Sequence, residues 1–212
     1  MNRLIKITAL VFTLGFMVSP AVMAGDELSP VIPVTADVDT AAQFTINIRE
    51  EVGKDPGTGD PIFGPAIKPP AMNHGTLVRD FDADTGEPFA LRGKAFHVWL
   101  GAGVNVPYTI KSTMGELSAG GNNLPHAIGL FPISARRAGV DVGTLVAAQD
   151  AIGTNKLIYT SNELGQGATI ELVYGLSGGN ADGTDPFPGW QPVPPDQAPG
   201  SYVSTLVYTL TT

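Results

Sequence analysis

Apolar and polar residues alternate strictly over one stretch near the start of the chain. In Ile32-Pro33-Val34-Thr35-Ala36-Asp37-Val38-Asp39, the residues Ile32, Val34, Ala36 and Val38 are separated by Pro33, Thr35, Asp37 and Asp39. That is the period-two pattern of a strand with one apolar and one polar face. Such a strand either closes its own chain's sheet or leaves to fill a gap in a neighbouring molecule's sheet. Pro33 removes one ladder donor, which suits an edge or inserted strand. Residues 43–48 alternate again after a short break, predicting a second strand.

Residues 94–100 form the densest apolar run of the first half. Ala95, His97 and Trp99 fall on one face and Phe96, Val98 and Leu100 on the other, as in a strand near the middle of a sheet. Residues 104–111 are predicted as its hairpin partner, through a turn at Gly101-Ala102-Gly103. Further strands are predicted at 77–81, 89–91, 128–133, 156–160 and 168–174. The last, at 202–211, puts Tyr202, Ser204, Leu206, Tyr208 and Leu210 on one face if it is unbulged. Residues 50–75 and 178–200 are punctuated by Pro and Gly and read as long loops, the first with a short strand around 62–67. Residues 135–151 are the one helical patch, limited to one or two turns by Gly139 and Gly143. About eight strands without repeats predict a single all-β sandwich.

Composition adds the compartment. Arg3 and Lys6, the apolar run 9–18 and Ala21-Val22-Met23-Ala24 make residues 1–24 an expected export signal, too short in its apolar part to span a bilayer. The mature chain then begins near Gly25 with 10 basic and 20 acidic residues, net −10, and inserts in no membrane. An acidic surface repels phosphate backbones and anionic lipids, so nucleic acid is excluded as a partner; Arg136-Arg137 is an isolated basic pair. The chain has no cysteine, which rules out disulfides, thiol catalysis and thiolate metal sites.

The candidates for chemistry are weak. Gly175-Leu176-Ser177-Gly178-Gly179 has the spacing of a nucleophile elbow, but residues 180–186 do not start the helix that an elbow requires. His74, His97 and His126 lack the spacing of metal ligands, and His97 is expected as a packed core imidazole. Asp80, Asp82 and Asp84 alternate as in calcium loops, yet Gly86 is one place late and no Glu stands at the twelfth position. Gly101 and Gly103 lack the rest of a dinucleotide fingerprint. No enzyme, metal or cofactor is expected.

The export signal, the strand Ile32 to Asp39, the lack of cysteine and the terminal run Gly200-Ser201-Tyr202 through Val207-Tyr208-Thr209-Leu210 together resemble the alpha-type (class 5) chaperone–usher fimbrial major subunits, the colonisation-factor and cable pilins. The resemblance implies an immunoglobulin-like sandwich short of one strand and completed by donor-strand exchange. Residues 25–42 would be the N-terminal extension and 43–212 the pilin domain. Ile32, Val34, Ala36 and Val38 would be the donor plugs, and Tyr202, Leu206, Tyr208 and Leu210 the acceptor edge. Partners would be identical or related subunits, a periplasmic chaperone and an outer-membrane usher. The place of action would be an adhesive fimbrium on the cell surface, reached through the periplasm. The alternative is a secreted monomeric β-sandwich that binds carbohydrate or a protein partner, with Trp99, Trp190 and Tyr202 as aromatic candidates.

Overall fold

The structure is a computed structural model and describes residues 31–38, 43–75, 78–81, 88–92, 94–104, 106–176, 193 and 197–212. In chain order the strands are β1 (Val31–Val38), β2 (Gln43–Lys54), β3 (Pro61–Ala66), β4 (Ala71–Asn73), β5 (Val78–Phe81), β6 (Pro88–Arg92), β7 (Phe96–Gly103), β8 (Thr109–Met114), β9 (Ser118–Ala119), β10 (Asn122–Asn123), β11 (Ile128–Arg137), β12 (Val140–Asp141), β13 (Thr144–Leu145), β14 (Gln149–Asp150), β15 (Gly153–Thr160), β16 (Ala168–Leu176) and β17 (Leu206–Thr211). One sheet has the order β13-β15-β8-β17-β1-β4 and the other β12-β11-β16-β7-β2-β3, with β14 also pairing β11. Between them lies one core, to which Ile48, Val98, Leu100, Ile110, Leu130, Ile170, Leu172, Leu206 and Leu210 contribute. The fold is an all-β sandwich. β8, and β16 up to Tyr174, alternate buried residues with more exposed ones, as a strand with one face in the core does.

Two fully buried tyrosines join the sheets. Tyr208 on β17 donates its hydroxyl to that of Tyr174 on β16 at 2.8 Å. Burial lifts both phenols above the ordinary tyrosine range.

Four expectations are corrected. No helix occurs among the described residues; residues 135–151 form the end of β11, the hairpin to β12, and β13 and β14. Ala138 and Gly139 both adopt positive φ, 51° and 81°. They make the two-residue turn whose twist matches a hairpin.

The stretch 50–75 is mostly strand. β2 runs on to Lys54 and turns back into β3. Asp55 closes the turn, its carboxylate accepting from the backbone N–H of Gly57 at 2.7 Å and of Thr58 at 3.0 Å. Those bonds favour the charged form and lower the Asp55 pKa.

Gly101 and Gly103 are not a turn. They lie within β7, and β8 belongs to the opposite sheet. Finally, the terminal strand starts at Leu206, not at Tyr202: Val203 makes an isolated bridge with Ser118, and the Ser204 hydroxyl donates to the Gly115 carbonyl at 2.6 Å. Residues 1–30, where the export signal falls, and Trp190 and Ser177 lie outside the described residues.

Candidate functional site

The strand singled out by its alternation, β1, meets the terminal strand of the opposite end of the chain. β17 is fixed on one side by β8, antiparallel over six matched pairs from Leu206↔Met114 to Thr211↔Thr109. Its other side carries β1 in parallel, in the register Val34↔Leu206, Thr35↔Val207, Ala36↔Tyr208, Asp37↔Thr209 and Val38↔Leu210. The first three residues of β1 instead pair β4, antiparallel, as Val31↔Asn73, Ile32↔Met72 and Pro33↔Ala71.

β1 is therefore a splint with two half-ladders. Residues 31–33 have β4 as ladder partner, and residues 34–38 have β17. Val34 is the joint, since its backbone N–H also donates to the Pro70 carbonyl at 3.3 Å. Pro33, with no N–H to give, stands at the end of the β4 ladder just before that joint. Beyond Val34 no strand pairs the outer side of β1 among the described residues.

The side chains follow the alternation where they are described. Val34 is 6% exposed and belongs to the core, while Pro33 and Thr35 are exposed. The Thr35 hydroxyl donates to the Leu206 carbonyl at 3.4 Å. Burying a valine side chain contributes about 1.5–3 kcal/mol.

Of the predicted acceptor edge, Leu206, Tyr208 and Leu210 are buried and lie on β17 beside β1. Tyr202 does not join them. It is buried upstream, where its hydroxyl donates to the Ala198 carbonyl and accepts from the Gln197 amide, both at 2.7 Å. It anchors the approach to β17 and forms no part of the edge. No family model, curated protein or solved structure matches this chain.

The histidines have separate surroundings. His97 lies on the outer face of the second sheet, not in the apolar core. Its Nδ1 is 2.9 Å from Glu171 and its Nε2 3.3 Å from Glu51, and it stacks on Trp99 under the edge of Phe63. Residues 51, 97 and 171 meet only through strand pairing, so no sequence spacing marked them. His126 contacts the Asp150 carboxylate at 2.5 Å.

His74 directly follows β4 and is 1% exposed. Its Nδ1 lies 2.8 Å from the Lys94 carbonyl, so Nδ1 carries the proton, and Nε2 is buried without a partner. Burial depresses its pKa to about 4, with the Lys94 bond acting against that. Among the described residues no group of three or more His, Asp or Glu is placed to hold a metal.

Proposed function

We propose that this chain is a structural subunit of a surface fimbrium of the alpha-type chaperone–usher class, an immunoglobulin-like domain that polymerises by lending β1 to the next copy. The observation that supports this most is the β1–β17 seam. A strand of alternating pattern covers the edge of β17 through a single half-ladder, and it does so in parallel, the pairing that is slightly weaker per residue. The same edge accepts an identical strand from a second copy, and exchanging an identical element is a low-cost route to association. Repeated head to tail, that contact gives an open filament. Release of β1 without a replacement leaves the β17 ladder and its apolar neighbours facing water, a state that requires a chaperone. No catalysis is assigned to it.

A second reading has its own observation. In the single chain, β1 lies in its own sheet with Val34 in its own core, as expected of a self-contained secreted binding module. Removing residues 32–39 tests the first reading. The fimbrial reading expects an exported subunit that forms no fibres; fibres of normal length from that variant would contradict it.

A further inference from the structure

The outer face of the second sheet carries a row that runs across four strands. Arg136 pairs Thr169 across β11 and β16, Thr169 pairs Gly101 across β16 and β7, and Gly101 pairs Thr45 across β7 and β2. Arg136, Thr169 and Thr45 are exposed while Ala135, Ala168 and Ile170 beside them are buried, which fixes the row on the solvent side. Gly101 makes the row a trough. A Cβ there would lie 2.5 Å from the Thr45 hydroxyl, and one on Gly103 would lie 3.1 Å from the Gly167 backbone. Side chains at these positions would fill the floor. The cavity measures about 350 Å³, near the lower end of small-molecule sites at roughly 300–1,000 Å³.

Two consecutive arginines line it. On a straight strand they would point to opposite faces, but Arg137 is the last residue of β11 and enters the Ala138-Gly139 turn. The Nε of Arg136 is 3.1 Å from Asp141, and its other guanidinium donors have no ion-pair partner among the described residues. Arg137 has no ion pair among the described residues. In a chain of net charge −8, this pair is a local exception to a surface that repels anions. Guanidinium forks match a carboxylate in two parallel bonds. The Thr45 and Thr169 hydroxyls supply the neutral partners that ring hydroxyls need.

We propose that this trough binds a saccharide bearing a carboxylate, a uronic-acid type of residue. The inference is independent of whether the chain acts as a fibre subunit or alone. The test is a titration of the isotopically labelled chain, followed by amide NMR, with three probes: methyl glucuronide, its neutral twin methyl glucoside, and acetate as a carboxylate without a ring. The glucuronide is expected to shift the amides of Gly101, Gly103, Gly167 and Thr169, and to bind at least about tenfold more tightly than either other probe. R137Q, at an exposed turn, should keep the remaining spectrum and weaken glucuronide binding about tenfold, with R137K recovering part of it. K54Q, which removes a positive charge at the distant β2–β3 hairpin, should leave binding unchanged. The proposal is overturned if the glucuronide leaves those glycines unshifted, if glucoside or acetate binds equally well, or if K54Q weakens binding as much as R137Q.

Discussion

Val34 of β1 stands beside Leu206 of β17 in parallel register, and its backbone N–H reaches across to the Pro70 carbonyl on the other side. Among the described residues it is the one residue of β1 held from both flanks, and its side chain is in the core. The grip of β1 on its sheet is concentrated there.

Val34→Ala removes two buried methyl groups and is expected to lower stability by about 2 kcal/mol. Val34→Asp places an unpaired carboxylate in the same pocket and should abolish fibre assembly. Thr35→Asp changes an exposed position and should leave assembly intact. Electron microscopy of surface material from cells expressing each variant, beside denaturant titration of the purified chains, reads both effects.

The Tyr208–Tyr174 pair links the sheets through one buried hydroxyl contact. Tyr208→Phe leaves the Tyr174 hydroxyl without its donor and is expected to cost about 1–3 kcal/mol. The double change to Phe should cost clearly less than the two single costs added, because it removes both polar groups together. A double-mutant cycle in urea measures this. Both phenols are raised when folded, so the stability they contribute is present below the unfolded tyrosine value of about 10 and is lost as pH rises past it. The double variant should therefore show a shallower alkaline limb.

His74 gives the acid limb its shape. Its folded pKa is depressed from 6.5 to about 4, so the stability it contributes is present above pH 6.5 and is lost as pH falls from 6.5 toward 4. With 1.36 kcal/mol per unit, the loss is about 3 kcal/mol. Denaturant midpoints between pH 7 and pH 4 should fall for the native chain, and His74→Gln should flatten that part of the curve. Since His74 follows β4, amide exchange in β4 and the first residues of β1 should quicken first.

The sequence displays its strands where one face is buried, as at β7 and β16. It conceals them where strands stand in solvent. The outer part of the β2–β3 hairpin exposes both faces, including Val52 and Ile62, so it lacks the alternation that burial imposes. Gly101 and Gly103 resemble a turn in sequence, yet they are glycines because Thr45 and Gly167 approach them too closely for a Cβ. Residues 135–151 have helix-forming content, but the positive φ at Ala138 and Gly139 is a tertiary outcome that local propensity does not carry. Tyr202 shares the period of β17, and the Val203 bridge to Ser118 and the Ser204 bond to the Gly115 carbonyl separate the two. Leu206, Tyr208 and Leu210 were legible as one face of a strand because that strand is regular. The outer trough was not, since Thr45, Gly101, Arg136 and Thr169 come together only through pairing.

Whether β1 serves its own chain or another is read most directly by a cross-link. The chain has no cysteine, so Thr35→Cys with Val207→Cys places two thiols on matched positions of β1 and β17, away from the buried Val34. Surface material treated with a short bis-maleimide and run on a denaturing gel should give a ladder of two, three and more linked chains. A single band at the mass of one chain would contradict strand exchange.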